Sequence, residues 1–316
     1  MPGFVTHYVY GVLAYKALED FEIKSTIRKY HNSFSLGLQG PDLFFYFAPT
    51  ILGPLPNIAN LMHKKRTGSF FGALIDSVSV FDHDDDYEIA YAYIMGFMGH
   101  YLLDTAVHPY VYSRVGTDPA MRSIGVHFGL ETDIDREVLR FYKGLSLTDF
   151  PHDRAVNLTS KEKKVISRLL GIAILKTYGI ALSEKITCLA ISSFRLGNAF
   201  LMDPNNTKYN VIDFVERHTI RCNLISQLLI NDIVHSHDCM NAEHRTWFNP
   251  FVHGAFSTNS VYDIIDKNVG RYCNYMTKMH HALSNSKNMV QDDSPVILNL
   301  LGNRSYSTGV DCRHQL

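Results

Sequence analysis

Apolar side chains recur every three or four residues along most of this chain, a spacing typical of helices that bury one face. Near the start, Tyr8, Val12 and Tyr15 follow this spacing. No stretch alternates polar and apolar residues over the length of a strand, and no Asn-Gly or Asp-Gly turn joins two β-branched runs. The sequence therefore predicts an all-α fold, a multi-helix bundle.

The helix boundaries follow from capping residues and from glycine and proline. Pro109 disfavours the helical conformation at His108, so one long helix is predicted to end there. Gly37, Gly40 and Pro41 predict a loop. The predicted helices cover about residues 7–19, 22–31, 56–65, 68–82, 87–108, 125–143, 160–177, 183–202 and 209–236.

Size, charge and cysteine spacing limit the functional classes. The 316 residues carry 30 Lys and Arg against 31 Asp and Glu, a net charge of −1 that gives no bulk attraction to nucleic acid or to an anionic membrane. The longest apolar runs, such as 169–175, are far shorter than a membrane-spanning helix, and no basic amphipathic interfacial helix is evident. Five scattered cysteines without a CxxC pair indicate free thiols in a reducing compartment. With no signal peptide evident at the N-terminus, a cytoplasmic location is expected.

The densest chemical signal is the segment GHYLLDTAVHP, which places His100, Asp104 and His108 four residues apart. Each step of four residues turns only about 40° around a helix, so the three side chains share one face. Each step also rises about 6 Å, so neighbouring pairs suit adjacent ions bridged by the central carboxylate. A lone histidine on an apolar helix is usually a satisfied core residue. Three ionisable groups on a buried helix need partners, however, and a metal supplies them.

Two further segments contain ligand-type side chains. HFGLE places His127 and Glu131 one helical turn apart, which is again a ligand-pair spacing. Imidazole with carboxylate is a ligand set that suits zinc when thiolates are absent. The acidic run DHDDD at residues 82–86 is interpreted as a solvated loop.

The ligand-type residues follow one another in a recognisable order. His7 is followed by Asp42 within GPDLFF, then His63, the HxxxDxxxH segment and the HxxxE segment. This order over about residues 1–135 resembles the zinc-dependent phospholipase C family, a bacterial all-helical group related in fold to zinc-dependent single-strand nucleases.

The resemblance implies a zinc cluster. One zinc would be held by Asp42, His63, His100 and Asp104, and a second by His108, His127 and Glu131. In the family a third zinc uses the first histidine, here His7, the bridging aspartate, here Asp104, and an amino-terminal tryptophan. This chain begins Met-Pro-Gly, with Pro2 as a conceivable amine donor, so two zinc ions are expected and the third position stays open.

The expected activity is zinc-dependent hydrolysis of a phosphodiester, of phospholipase C type. Zinc makes hydroxide available near neutral pH and offsets charge on phosphoryl oxygens. Asp42 is the expected base or water-orienting group, and Glu131 is expected to assist the leaving oxygen. The alternatives are a nuclease or nucleotidase on the same scaffold and a metal-binding helical protein without turnover. The partner would be a phosphate ester, either a phospholipid headgroup or a nucleotide; the sequence does not fix the oligomeric state.

Aromatic residues near the ligands bear on the substrate. They suit cation–π contact with a choline-type headgroup, stacking on a nucleobase, or filling of the core. These residues are Tyr8, Phe44, Phe45, Tyr46, Tyr101 and Tyr110.

The organisation predicted from the sequence is a metal-binding helical core over 1–150, completed by further helices over 151–282 and followed by a polar, loose tail over 283–316. The histidine-rich segment 235–254, which contains Trp247, is either a lid over the zinc site or a connector anchored by its tryptophan.

Overall fold

The computed structural model describes residues 3–51, 53, 55–118, 120–152, 154–288 and 294–314, and the prediction of an all-α fold is confirmed. A two-stranded antiparallel pair joins β1 (Trp247–Phe248) to β2 (Phe256–Ser257). The helices are α1 (Phe4–Ala17), α2 (Phe21–Lys29), α3 (His31–Gly37), α4 (Ala48–Ile51), α5 (Ile58–Lys64), α6 (Thr67–Ser77), α7 (Asp84–Val115), α8 (Met121–Lys143), α9 (Ser160–Tyr178), α10 (Glu184–Leu201), α11 (Thr207–Thr219), α12 (Val261–Asn288) and α13 (Ser294–Leu301). Short 3-10 helices cover Gly40–Tyr46, Val78–Val80, Ser226–Leu228 and Cys312–His314.

Helix α7 forms the axis of the core. Every residue from 89 to 104 is buried, so this helix is surrounded by protein on all sides. Helices α1, α3, α9 and α12 all pack against it. Ligand-type side chains on α7 are therefore held in the interior, where exposure to water is low.

The prediction that α7 ends at His108 is wrong, because the helix runs through Pro109 to Val115. Proline has no backbone N–H, so the carbonyl of Thr105 loses its helical donor. The chain near Gly309 closes over this point: a Cβ on Gly309 would lie 2.6 Å from the Thr105 carbonyl oxygen. Tertiary packing thus overrides the local preference at Pro109, and all three motif residues lie well inside one helix.

Two glycines allow α3 and α7 to pack with their backbones in contact. A Cβ on Gly37 would come within 2.2 Å of the Tyr93 carbonyl oxygen, and one on Gly96 within 2.1 Å of the Phe34 carbonyl oxygen. Backbone atoms cannot swing aside as a side chain can. The contact therefore fixes α3, and the Gly40–Tyr46 segment that follows it, against the ligand-bearing turn of α7.

We expect Gly96→Ala to destabilise the protein by about 3 kcal/mol or more, because the two helices must separate to admit one methyl group. The control is Gly270→Ala in α12, where a Cβ meets nothing within 4 Å. That change should stabilise the helix by about 0.5–1 kcal/mol. Urea unfolding of both variants tests the pair, and equal stabilities would contradict the close contact.

The C-terminal half differs from the predicted boundaries. The helix expected over 209–236 ends at Thr219, where the buried Glu216 carboxylate accepts backbone N–H groups of Leu224, Ile225 and Ser226 and so turns the chain. Arg221 adopts the left-handed conformation at this turn, with φ of 56°. The long helix α12 was not predicted at all.

Part of the segment expected to form a polar, loose tail packs on the core. In α13, Ile297 and Leu301 are buried, and Tyr306 lies against the ring of His63 with centroids 5.1 Å apart. Residues 289–293 and 315–316 lie outside the described residues, so the expectation of a loose tail is not tested there.

Candidate metal centre

Five segments bring the eight sequence-predicted ligand residues to one buried region. They are His7 on α1, Asp42 in the Gly40–Tyr46 helix, His63 on α5, His100, Asp104 and His108 on α7, and His127 and Glu131 on α8. Their ligand atoms form three groups, each within a 4.8 Å span. The groups are His7 with His100 and Asp104, Asp42 with His63 and His100, and His108 with His127 and Glu131.

Asp104 is the hub of this arrangement. Its Oδ1 lies 3.1 Å from Nε2 of His7 and 3.8 Å from Nδ1 of His108. Its Oδ2 lies 3.2 Å from Nε2 of His100 and 3.9 Å from Nε2 of His63. One carboxylate thus lies within 4 Å of nitrogen atoms of four imidazoles.

Asp42 and Glu131 lie on two other sides of the centre. Oδ1 of Asp42 is 3.1 Å from Nε2 of His63 and 3.9 Å from Nε2 of His100. Oε1 of Glu131 is 2.8 Å from Nε2 of His127 and 3.8 Å from Nε2 of His108. Each group therefore pairs at least one carboxylate with imidazole nitrogens.

Backbone carbonyls fix two of the imidazole rings. Nδ1 of His63 lies 2.6 Å from the Ala59 oxygen, and Nδ1 of His100 lies 3.1 Å from the Leu38 oxygen. A carbonyl oxygen only accepts, so each Nδ1 donates and each Nε2 is left to face the carboxylate oxygens of Asp42 and Asp104. Imidazoles oriented in this way by backbone carbonyls are typical of metal ligands.

Unsatisfied polar atoms also indicate a cation. Burial of an acceptor without a partner costs about 1–3 kcal/mol. Buried ligand-type atoms of the centre that make no hydrogen bond include His7 Nδ1, Asp42 Oδ1, His100 Nε2, Asp104 Oδ2 and His108 Nδ1. Imidazole and carboxylate without thiolate is a donor set that fits zinc.

Burial keeps most of the imidazoles in the neutral, ligating form. It lowers the pKa of His7 to about 4, helped by the nearby His100, and lowers the pKa of His108 to about 3. Burial also lowers the pKa of His127 well below its usual value. His100 differs: burial lowers its pKa, but the carboxylates of Asp104 and Asp42 outweigh that effect and raise it. For Asp104, burial opposes ionisation, yet His100 and His108 hold its pKa well below the usual range.

Gly40 shapes the wall of the centre beside His100. Its φ of +52° is a left-handed conformation that side chains rarely adopt, and a Cβ there would lie 2.3 Å from the His100 ring. From the sequence, this glycine predicts only a loop. Its role in seating the imidazole depends on a contact between residues 60 positions apart.

Asp135 anchors the start of α1 and was missed from the sequence. Its carboxylate accepts the backbone N–H groups of Val5 and Thr6 and the Thr6 hydroxyl, at 2.6–3.0 Å. Burial raises the pKa of Asp135 to about 6 despite these donors. The only sequence signal is its position one turn after Glu131 on α8. Because His7 directly follows Thr6, this anchor sets the position of the His7 imidazole.

We expect Asp135→Ala to destabilise the protein by about 3 kcal/mol, because two buried backbone N–H groups and a hydroxyl lose their acceptor. Glu137→Ala, two residues further along α8, removes only a surface ion pair with Arg140 and should cost less than about 0.5 kcal/mol. Thermal or urea unfolding measures both. If the two variants were equally stable, Asp135 would not be the anchor of α1.

The centre is closed at its middle and less covered at two edges. His7, His100 and Asp104 are fully buried, whereas His127 is half-buried and Asp42 retains a little exposure. Tyr112 lies over the His127 edge with ring centroids 5.0 Å apart, and Phe251 lies 5.2 Å beyond Tyr112. The Asp42 and His127 side chains, 11 % and 12 % exposed, are nevertheless the least covered of the eight.

The histidine-rich segment 235–254 serves partly as an anchored connector. The Trp247 indole donates to the Asn259 carbonyl and packs edge-on against Tyr110. Through Phe251 the same segment also borders the His127 edge by way of Tyr112. The Trp247 contacts therefore agree with a connector anchored by its tryptophan, and the Phe251 contact places the same segment beside the site.

The predicted aromatic residues separate into two sets. Phe44, Tyr101 and Tyr110 are fully buried and fill the core, with the Tyr101 and Tyr110 hydroxyls bonded to carbonyls. The half-buried remainder are Tyr8, Phe45 and Tyr46. The ring centroids of Phe45 and His63 are 5.4 Å apart. Among these three half-buried aromatic residues, Phe45 makes the ring contact with a ligand-type residue.

Two other sequence features lie apart from the centre. The acidic run 82–86 was interpreted as a loop, but its last three residues form the first turn of α7, where Asp85 pairs with Lys29 and Lys161. Met1 and Pro2, which bear on the third zinc position, lie outside the described residues.

All five cysteines are free thiols. Among the described residues, no helix combines the length and apolar character needed to cross a membrane.

Comparison with known families bears directly on this centre. The model of the zinc-dependent phospholipase C family matches residues 6–188, which is more than half of the chain and includes all eight residues of the centre. No curated protein and no solved structure matches the chain. The resemblance seen in the sequence is thereby confirmed, and it extends beyond residue 135 into α10. The chain belongs to the zinc-dependent phospholipase C family.

Proposed function

We propose that this protein hydrolyses phosphodiesters with bound zinc, as a phospholipase C acting on a phospholipid headgroup ester. The observation that carries the proposal is that eight imidazole and carboxylate side chains form three close ligand-type groups, inside a chain that matches this family. The family match supports a hydrolase of phosphate esters, and the donor set supports zinc.

The proposed ligands follow the three groups. Asp42, His63, His100 and Asp104 would hold one ion, and His108, His127 and Glu131 a second. His7 with Asp104 is the proposed contribution to a third. Bound zinc lowers the pKa of a water molecule and offsets charge on the phosphoryl oxygens.

The chain's own residues perform the remaining steps. Asp42, at the partly exposed edge of the centre, is positioned to orient the attacking water and to accept its proton at a carboxylate oxygen. Glu131, at the opposite edge, is positioned to assist departure of the glycerol oxygen. The fully buried His7, His100 and Asp104 exclude bulk water from the interior. That exclusion strengthens the electrostatic stabilisation of the charge that develops on phosphate.

The substrate that we propose is a headgroup ester with a compact cation. Phe45 borders His63, and Tyr112 borders His127. Aromatic faces at these two edges suit a quaternary ammonium group. They equally suit a nucleobase, so a nuclease or nucleotidase activity on the same scaffold is the alternative outcome of the test.

A substrate panel tests the proposal. The zinc-loaded protein is assayed on a chromogenic phosphocholine ester, single-stranded DNA and a nucleoside monophosphate, with and without chelator. Chelator-sensitive cleavage of the phosphocholine ester above the other two supports the proposal. Preferred cleavage of DNA or nucleotide would replace it by the alternative, and zinc binding without cleavage of any substrate would identify a catalytically silent protein.

The ligand roles have their own test. Asp42→Asn should retain most of the bound zinc through His63, His100 and Asp104, yet lose about a hundredfold or more in activity, because the proton acceptor is gone. Metal analysis and initial rates separate the two roles. Wild-type activity in this variant would remove Asp42 from the mechanism.

A further inference from the structure

Helix α11 presents an apolar stripe to solvent. Val211, Phe214 and Val215 lie at i, i+3 and i+4, which is one face of a helix, and that face points outward. Surface helices normally turn such a stripe to the core. In α11 the buried residue is instead Glu216, the acceptor that holds the following turn.

The stripe continues onto neighbouring segments. Lys208 links α11 to α10, since its ammonium donates to the Phe200 and Met202 carbonyls and lies 4.9 Å from the Phe200 ring centroid. We name the combined surface the apolar face, and its side chains are each between 44 % and 64 % exposed. It consists of Leu196, Phe200, Val211, Phe214, Val215, Ile220 and Ile225.

The turn after α11 packs against the helix that carries His127. The Asn223 carbonyl packs directly on Gly125, where a Cβ would come within 1.7 Å of it. Gly125 lies between the exposed Ile124 and Val126 on α8. His127, a residue of the candidate centre, follows Val126 on the same helix. This contact places the end of the apolar face beside the ligand-bearing turn of α8.

The charges around the apolar face are predominantly cationic. Arg217, Arg221 and Lys208 accompany the stripe, and the Arg217 side chain is largely exposed. The acidic groups of α11 are engaged internally. Asp213 is mostly covered and pairs with Arg217 and Asn223, and Glu216 is buried among backbone donors.

We propose that the apolar face docks on an anionic phospholipid bilayer and presents lipid headgroups to the His127 edge of the metal centre. Exposed phenylalanine and valine side chains enter the interface, and the flanking cations meet lipid phosphates. A second copy of the chain fits less well, because a two-fold contact would place this cationic surface against itself. Helix α11 and the turn after it lie beyond the family match, which ends at residue 188, so the surface is assigned from this chain's own structure.

The docking inference deepens the proposed function and rests on it for the choice of lipid. Its physical basis is that a phospholipid keeps its acyl chains in the bilayer during headgroup cleavage. An enzyme acting there must therefore bring its site to the bilayer surface. Binding and turnover can be measured separately, so the two proposals have separate tests.

Vesicle flotation of the full-length protein tests the docking surface. The probes are phosphatidylcholine vesicles with and without phosphatidylglycerol. Wild-type protein is expected to float with the anionic vesicles, and Phe200→Ser with Phe214→Ser should weaken binding at least about tenfold, because two exposed aromatic side chains no longer enter the interface. Arg217→Gln with Arg221→Gln should remove the preference for anionic vesicles. The control is Phe21→Ser, at a 77 % exposed position on α2, and it should bind like wild type.

A second readout separates this inference from the proposed function. The phenylalanine double variant should retain hydrolysis of a water-soluble phosphocholine ester and lose hydrolysis of vesicle lipid. Vesicle binding by a protein that cleaves no phosphodiester supports the docking face and rejects the proposed function. Cleavage of soluble ester without vesicle binding overturns the docking face alone. A wild-type dimer that Phe214→Ser converts to monomer, with vesicle binding unchanged, also overturns it in favour of a second copy.

Discussion

Asp104→Asn is expected to abolish hydrolysis, with a loss of at least about a thousandfold, and to release at least one zinc ion per chain. The side chain reaches four imidazoles, with its oxygens 3.1–3.9 Å from nitrogens of His7, His63, His100 and His108. Asparagine has the shape of aspartate but no negative charge. One of the two carboxylate oxygens is replaced by an amide nitrogen, which donates hydrogen bonds and does not bind a metal ion. A loss of about 4 kcal/mol of charge stabilisation corresponds to about three orders of magnitude in rate.

The matched control for this change is Asp85→Asn on the same helix. Asp85 is exposed, lies in the first turn of α7 and pairs with Lys29 and Lys161 rather than with any residue of the centre. It should retain wild-type zinc content and wild-type rates. Elemental analysis after gel filtration, together with rates on a soluble phosphodiester, provides the comparison. Full zinc content in Asp104→Asn would show that this carboxylate is not the bridging ligand.

The positions of the α7 residues were predictable because helix geometry is local. His100, Asp104 and His108 share one face wherever the helix lies, and the apolar residues around them indicate burial. The helix boundary was not predictable in the same way. Proline disfavours a helix at His108 in isolation, but the packing of α7 on α1, α3 and α12 and the approach of Gly309 outweigh that preference.

The supporting contacts were not predictable because they join residues far apart in the chain. Asp135 bonds to Thr6 across 129 positions, and the Leu38 carbonyl orients His100 across 62. Neither contact has a periodic signature in the sequence. The order of the ligand residues indicated which side chains belong to the centre, whereas their hydrogen-bond partners needed the fold.

Helix α11 shows a different limit. The sequence predicts one helix over residues 209–236, because apolar residues continue at helical spacing through this region. The turn after Thr219 depends on Glu216 accepting three backbone N–H groups at once, an interaction that pattern analysis does not detect. Once the helix is correctly bounded, its outward-facing apolar stripe becomes visible.

Removal of zinc is expected to lower the melting temperature by about 6 °C. A ligand present at about a thousand times its dissociation constant stabilises the native state by about 4 kcal/mol, and each kcal/mol corresponds to about 1.5 °C for a chain of this length. Without the metal, buried acceptors such as Asp42 Oδ1 and Asp104 Oδ2 lack a hydrogen-bond partner. Differential scanning calorimetry with zinc and with chelator measures the shift.

The control for zinc removal is the Asp104→Asn variant, and it links the two predictions. If Asp104 bridges the ions, this variant already lacks the metal-dependent stabilisation, so chelator should shift its melting temperature far less than that of wild type. Asp85→Asn should show the full wild-type shift. Because calorimetry requires no substrate, this comparison tests the metal centre independently of turnover. An unchanged melting temperature in wild-type protein after zinc removal would mean that the converging imidazoles and carboxylates do not form a metal site, and the proposed hydrolase would lose its physical basis.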